Sequence, residues 1–391
     1  MPPVTSLSRV PISPVLRKLG TYPFVRLAQA RREREAAGNF VLDFGTGDPR
    51  EPTDPAIRRA LADSVPEISS YPLAQGLPEL RAAVAAWIAR RFGVTIDPDH
   101  EVVPTLGSKE AIFSLAQVVV DRDGGRDVVL FTEPGYPVPH RGALFAGAEA
   151  VGLPLEERHD FLPDLEAVPE ALWRRTAVLW LNYPNNPTGA TAPPKFLAAA
   201  LERARLHGLL LACDETYSEL WFDEPPASAL QGDGLANLAV FNTLSKRSSM
   251  TGYRSGFVAG DPELIDALKA FRPTVGTAPQ EFVQRASIVA WSDETHVDRV
   301  RETYGRKRDV FLDLFHGKGI AVAGSRAAFY LWLTIPEGET SEAFAARLLE
   351  HGILLAPGSY FGPAGEGYAR LSLVPPLDDC LRAAGILEEL L

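Results

Sequence analysis

Four short apolar runs, at 128–131, 177–181, 209–213 and 238–241, each lead into a polar turn, and stretches of helical periodicity fall at 79–91, 111–120, 194–207 and 262–272. An apolar run of four or five residues bounded by turns reads as a strand buried on both faces. Strands alternating with helices give an α/β fold, in which crossover helices cover both faces of a mostly parallel sheet. The last third of the chain changes character. There, 280–315 reads as one long helix, 327–334 as a strand, 341–350 as a helix and 370–373 as a strand, which is α+β in character and points to a second, smaller domain.

Composition permits this and closes other routes. With 46% hydrophobic and 23% charged residues in 391, the chain can bury large cores and is not a disordered, collagenous or coiled-coil sequence. A net charge of −11 repels nucleic acids and anionic membranes on average, so neither is expected as a partner. Any anionic ligand must then meet a local basic cluster. Two cysteines, Cys213 and Cys380, are too few for a disulfide framework and lack metal-ligand spacing, which suggests reduced thiols in a cytoplasmic protein. Residues 1–8 carry no export signal, no apolar run is long enough to span a bilayer, and the histidines show no metal-ligand spacing, so no metal is expected.

In an open α/β sheet, ligands bind beyond the carboxyl ends of the strands. Four polar segments stand there: Leu106-Gly107-Ser108-Lys109 opening a helix, Asn182 to Gly189, Asp214-Glu215-Thr216-Tyr217, and Thr243-Leu244-Ser245-Lys246. A lysine near a carboxylate, an amide, a phenol and a glycine-led helix start has what an aldehyde cofactor with a phosphate needs. The amine bonds the aldehyde, and helix N–H groups, hydroxyls and an arginine hold the phosphate. Taken singly, each residue has a plainer reading. A lysine after a strand is usually solvated, Asp214 can cap a helix, 186–189 can be only a turn, and Tyr136 and Tyr71 can be packing. The segment Gly45-Thr46-Gly47-Asp48 lacks the spacing of a dinucleotide or P-loop fingerprint and reads as a substrate-side turn.

Together, Asn186-Pro187-Thr188-Gly189, Asp214-x-x-Tyr217 and Thr243-Leu244-Ser245-Lys246-Arg247-Ser248-Ser249-Met250-Thr251-Gly252-Tyr253-Arg254-Ser255-Gly256, in this order, resemble the class I/II aminotransferases of the fold-type I pyridoxal phosphate enzymes. The resemblance covers nearly the whole chain. Thr243 and Ser255 depart from the commoner residues of the lysine motif; Thr243 keeps the hydroxyl. By resemblance, Lys246, Asp214 and Tyr217 are the catalytic set. Lys246 bonds the cofactor aldehyde and shuttles the proton, Asp214 pairs with the pyridine nitrogen, and Asn186 and Tyr217 hold the phenolic oxygen. Tyr136 stacks on the ring, and Ser108, Lys109, Thr243 and Arg254 hold the phosphate. Tyr71 reaches across from a partner subunit, implying a homodimer with shared sites. Arg370 grips the substrate α-carboxylate, helped by Asn186 and the backbone near Gly45.

The resemblance also implies a large pyridoxal phosphate-binding α/β domain over 45–285. The small α+β domain would comprise 1–44, with an N-terminal arm, and 286–391. The implied reaction passes an amino group between an amino acid and 2-oxoglutarate by a ping-pong mechanism. Segments around Lys246, 271–273, 278–282, 356–362 and Tyr22-Pro23-Phe24 are similar to the bacterial N-succinyl-L,L-diaminopimelate aminotransferases of lysine biosynthesis. So long a substrate needs a second cation, for which Lys109, Arg247, Arg272 and Arg326 are candidates. An aspartate or broad-range aminotransferase is the alternative reading, and a carbon–sulfur β-lyase keeps the same cofactor residues. A DNA-binding regulator of this family would need an extension that the proline-broken first 40 or so residues do not supply.

Overall fold

A computed structural model describes residues 10–20 and 22–391; the reading of residues 1–8 lies outside them. Seven strands form the main sheet in the order Val102–Thr105, Gly256–Gly260, Leu238–Thr243, Leu210–Asp214, Thr176–Asn182, Val128–Glu133, Glu149–Pro154. Gly256–Gly260 runs antiparallel to both neighbours, and every other adjacent pair is parallel. The three strands nearest the centre on the parallel side are buried at every position, as runs covered on both faces must be. Alternate residues serve opposite faces. Leu179, Leu181, Leu211 and Val240 join a core with Trp87 and Trp291, whereas Val178, Trp180, Ala212 and Phe241 pack with Ile112, Leu115 and Ile265.

Helices Pro78–Phe92, Ser108–Val119, Pro194–His207 and Pro262–Phe271 match the periodic stretches closely. Proline at the first position favours three of these starts, because the missing N–H is unbonded there anyway. One expectation is corrected: 280–315 is two helices, Glu281–Ser292 and Thr295–Gly317. Asp293 breaks the run because its side chain accepts from Thr295 N at 3.1 Å and so caps the second helix.

Towards the C-terminus, Tyr330–Thr334 and Tyr368–Ser372 form the antiparallel centre of a four-stranded sheet. The expected strand from 327 starts only at Tyr330, since Ala328 takes a left-handed φ of 62° and turns the chain first. The two chain ends meet: Leu42–Asp43 pairs in parallel with Ile353–Leu354, and Ser372 N donates to Phe44 O at 2.8 Å. This contact carries the Gly45-to-Asp48 turn to the mouth of the main sheet. Among the described residues, no helix is long and apolar enough to cross a membrane.

Candidate active site

The parallel strands present their carboxyl ends, Thr105, Glu133, Asn182, Asp214 and Thr243, along one edge of the sheet, and a cavity of about 490 Å³ opens there. Ser108, Lys109, Tyr136, Asn186, Asp214, Tyr217, Thr243, Lys246, Arg254 and Arg370 all line it. Gly45 lies behind Arg370, whose Nη2 donates to Gly45 O at 2.7 Å. Tyr71 is not brought to the cavity of its own chain; its side chain stands fully in solvent.

Lys246 follows strand Leu238–Thr243 by one helical turn, started by the Thr243 hydroxyl accepting from Ser245 N. The same hydroxyl donates to the Ser255 backbone oxygen at 2.7 Å, while the Ser255 side chain bonds that of Ser287 at 2.7 Å. Lys246 Nζ donates to Gly47 O at 2.8 Å. Burial pulls its pKa down to about 8; Asp48 opposes the fall, and Arg370, Arg254 and Lys109 add to it.

Asp214 ends its strand with the side chain buried. Burial lifts its carboxyl to about 6, although Thr216 donates to it through both N and Oγ1. Arg370 is fully buried under Tyr330, Phe361 and Phe24, with its guanidinium carbon 4.3 Å from the Tyr330 ring centre. Its Nη1 donates to Asn186 Oδ1 at 2.8 Å, and its Nε has no partner. Among the described residues, neither Asp214 nor Arg370 belongs to an ion pair. A buried carboxylate offset only by the attraction of Lys246, and a buried guanidinium offset only by the phenols around it and Asp43, are expensive unless ligands complete them. A cationic ring nitrogen suits the first, and a carboxylate suits the second.

On the phosphate side, the helix Ser108–Val119 points its N-terminus at the cavity beside Ser108, Thr243 and Arg254. Arg254 lies across Gly107, donating to Leu106 O at 3.1 Å. Gly107 has φ 72°, a conformation that favours glycine, and a Cβ there would stand 2.5 Å from Arg254 Nη2 and push the guanidinium aside. These hydroxyls, N–H groups and guanidinium form a cradle whose chemistry fits the phosphate of pyridoxal phosphate.

Two site residues were given no role from the sequence, although Tyr22 stands in a segment that carried the subgroup resemblance. Tyr330 places its hydroxyl 2.8 Å from that of Tyr217, and Tyr22 puts its ring beneath Lys109 Nζ at 5.5 Å. Asn182, quoted only as the start of a run, joins two functional groups: Oδ1 accepts from Asn186 N, and Nδ2 donates to Asp214 O. Of the four candidate distal cations only Lys109 lines the cavity. Arg247 is buried on Trp87 and Trp291 and paired with Glu294, Arg272 is buried against Glu110, and Arg326 borders a separate cavity. Among the described residues, no group of three or more His, Cys, Asp or Glu is placed to hold a metal ion.

The family model for "Aminotransferase class I and II" matches residues 40–386. The LL-diaminopimelate aminotransferase of Dehalococcoides mccartyi is 38% identical over 93% of this chain and 95% of its own. That of Aquifex aeolicus is 38% identical over 96% and 98% respectively. A solved structure described as a probable N-succinyldiaminopimelate aminotransferase from Thermus thermophilus superposes with a TM-score of 0.87. It is 33% identical, over 94% of this chain and all of that one.

Proposed function

The chain belongs to the class I and II aminotransferases, pyridoxal phosphate enzymes of fold type I, and we propose that it transaminates an amino acid of the diaminopimelate type with 2-oxoglutarate by a ping-pong route. The cofactor, when bound, supplies an aldehyde to bond the substrate amine and a protonated ring to delocalise charge from the α-carbon. Everything else falls to side chains of this chain. Lys246 Nζ takes the proton from the substrate α-carbon, a task helped by a pKa near neutrality. Asp214 holds the proton on the ring nitrogen, and Asn186 and Tyr217 orient the phenolic oxygen. Tyr136 covers the ring, and Ser108, Thr243 and Arg254 hold the phosphate. Arg370 binds the α-carboxylate bidentately, fixing which α-carbon bond faces Lys246. The observation that carries this reading is the pair of buried charges without an ion-pair partner among the described residues, Asp214 and Arg370, on opposite walls of the lysine's cavity.

The sequence resemblance favours the N-succinyl substrate, whereas the curated relatives bear the name of the free LL form. The two compounds share a distal carboxylate, for which Lys109 is the cation at hand. Residues 45–285 act as the large domain, with 1–44 and 286–391 closing over the site. The exposed run containing Val65, Ile68, Tyr71 and Leu73 suits an apolar contact with a second copy, from which Tyr71 would reach the partner's phosphate site. The buried thiols Cys213 and Cys380 accord with a cytoplasmic enzyme.

The test is a visible absorbance spectrum of the purified holoenzyme. It is followed on adding glutamate, LL-diaminopimelate or N-succinyl-LL-diaminopimelate without acceptor, then with 2-oxoglutarate under steady-state conditions. Bleaching by the amino donors and parallel double-reciprocal lines are expected. Faster turnover of aspartate than of either diaminopimelate would replace the substrate assignment. Pyruvate and ammonia from cystathionine would identify a β-lyase.

A further inference from the structure

We propose that Asp48 recognises a distal ammonium group, so that the site selects a substrate whose second amine is free rather than acylated. This rests on the diaminopimelate reading of the same cavity. The cavity lining contains four cationic side chains, Lys109, Lys246, Arg254 and Arg370, and two carboxylates, Asp48 and Asp214. In the arrangement above, Arg254 faces the phosphate, Asp214 the ring nitrogen and Arg370 the α-carboxylate, while Lys246 serves the reacting carbon. Lys109, expected from the sequence at the phosphate, and Asp48, which attracts Lys246 without pairing with it, are the cation and the carboxylate not needed for those roles. That remainder complements the zwitterionic end of an α-amino acid. It mismatches a plain carboxylate end, which leaves Asp48 facing like charge, and an acylated end, which replaces the ammonium by an amide and adds a further carboxylate.

The position of Asp48 supports this use. Asp43 Oδ1 accepts from Gly45 N and Thr46 N, each at 3.0 Å, which fixes the turn leading to it. Gly47 lies under the Tyr330 hydroxyl, where a Cβ would collide, and its carbonyl accepts from Lys246. The backbone on which Asp48 stands is thus tied to both walls of the site. Of the three arginines that line the neighbouring cavity with Asp48, Arg31 and Arg50 are turned to Asp43, at 3.2 and 3.5 Å, and Arg32 is the third. Asp48 itself makes no hydrogen bond or ion pair among the described residues, and it also borders a second cavity of about 390 Å³ that leaves room for a long substrate end. A site that pairs a charged group on its substrate discriminates against analogues lacking it, because its own charge is then left unpaired.

The test compares holoenzymes on two amino donors that share chain length and both carboxylates: LL-diaminopimelate, and L-2-aminopimelate, which lacks the distal amine. Asp48 is exposed, so we expect the parent enzyme to prefer LL-diaminopimelate in kcat/KM by about fivefold, the scale of one well-placed exposed charge pair. Asp48→Asn should bring that ratio to about unity, mostly through KM, and Asp48→Glu should keep the preference. N-succinyl-LL-diaminopimelate should be the poorer substrate of the parent enzyme and should gain relative to the free form in Asp48→Asn. An Asp48→Asn enzyme that loses the same factor on both donors would show that the carboxylate acts only on Lys246, and would overturn the proposal. So would a parent enzyme indifferent to the distal amine. If neither donor is a substrate while aspartate is, the diaminopimelate reading itself has failed, a result distinguishable from a failed role for Asp48.

Discussion

The two walls of the cavity are held in place by different means. On the sheet wall, Ser108, Asn186, Asp214, Thr243 and Lys246 stand at or within four residues of a strand's carboxyl end, so their spacing is set by the register of the parallel sheet. On the facing wall, Tyr22, Phe24, Thr46, Asp48, Tyr330 and Arg370 come from chain ends joined by the Leu42–Asp43 and Ile353–Leu354 pairing. The first wall cannot shift one group without deforming a buried sheet. The second can be adjusted by repacking a short contact. On the proposed reading, cofactor chemistry falls to the first wall, and the substrate's α-carboxylate and distal amine to the second.

Substitutions on the sheet wall should abolish chemistry without preference for substrate. Lys246→Ala is expected to lower transamination by about 10⁴-fold or more with any amino donor, while circular dichroism shows the fold retained. In the protein freed of cofactor, the rate at which Lys246 captures added pyridoxal phosphate should rise with pH and level off above pH 8, not near the ordinary lysine value, because burial favours the neutral amine. A midpoint near 10 would show the site wetter than the structure has it.

Asp214→Asn comes next, with an expected loss of about 10²–10³-fold in kcat, since the ring nitrogen loses its counter-charge. The same substitution should stabilise the cofactor-free protein. Burial raises the folded carboxyl to about 6, so between pH 4 and 6 the unfolded chain gives up this proton first and stability falls as pH rises. The advantage of Asp214→Asn should be small at pH 4 and reach about 3 kcal/mol above pH 6 in urea titrations, less any loss from the Thr216 bonds. A variant less stable than the parent at pH 7 would mean that the attraction of Lys246 outweighs the cost of burying Asp214 in the free protein.

Arg370→Lys probes the facing wall. It keeps the charge but loses the fork that bonds Asn186 and Gly45, and kcat/KM should fall by about 10²-fold for every α-amino acid, chiefly through KM. A loss confined to kcat would move Arg370 from substrate binding to the chemical step.

The same contrast decides what the sequence could disclose. The strand-end groups were legible because each sits in a contiguous run whose apolar half announces a strand and whose polar half announces its end. Gly256–Gly260, short and bounded by glycines, escaped as a strand although its neighbours in the motif were found. Arg247 and Arg272 looked like site cations because a buried ion pair over tryptophans, or against Glu110, leaves no trace in the order of residues. Tyr330 reads as one more apolar position in a buried strand. Only the register against Tyr368–Ser372, which sets Trp332 opposite Arg370, reveals which face of that strand meets the cavity.

Tyr330 gives the smallest effect and the finest test of how the walls communicate, because its hydroxyl meets Tyr217 from across the cavity at 2.8 Å. If the Tyr330 O–H donates, the Tyr217 proton is free for the cofactor's phenolic oxygen; if it accepts, that proton is spent within the protein. Tyr330→Phe keeps the ring that packs on Arg370 at 4.3 Å and removes only this choice. One hydrogen bond between neutral groups is worth about 1 kcal/mol, so a three- to tenfold loss in kcat/KM is expected. In the donating arrangement, the loss should come with a shifted pH titration of the holoenzyme's visible band, since Tyr217 then turns unassisted to the phenolic oxygen. An unchanged titration beside a raised KM would confine Tyr330 to supporting Arg370, leaving the walls in contact but chemically separate.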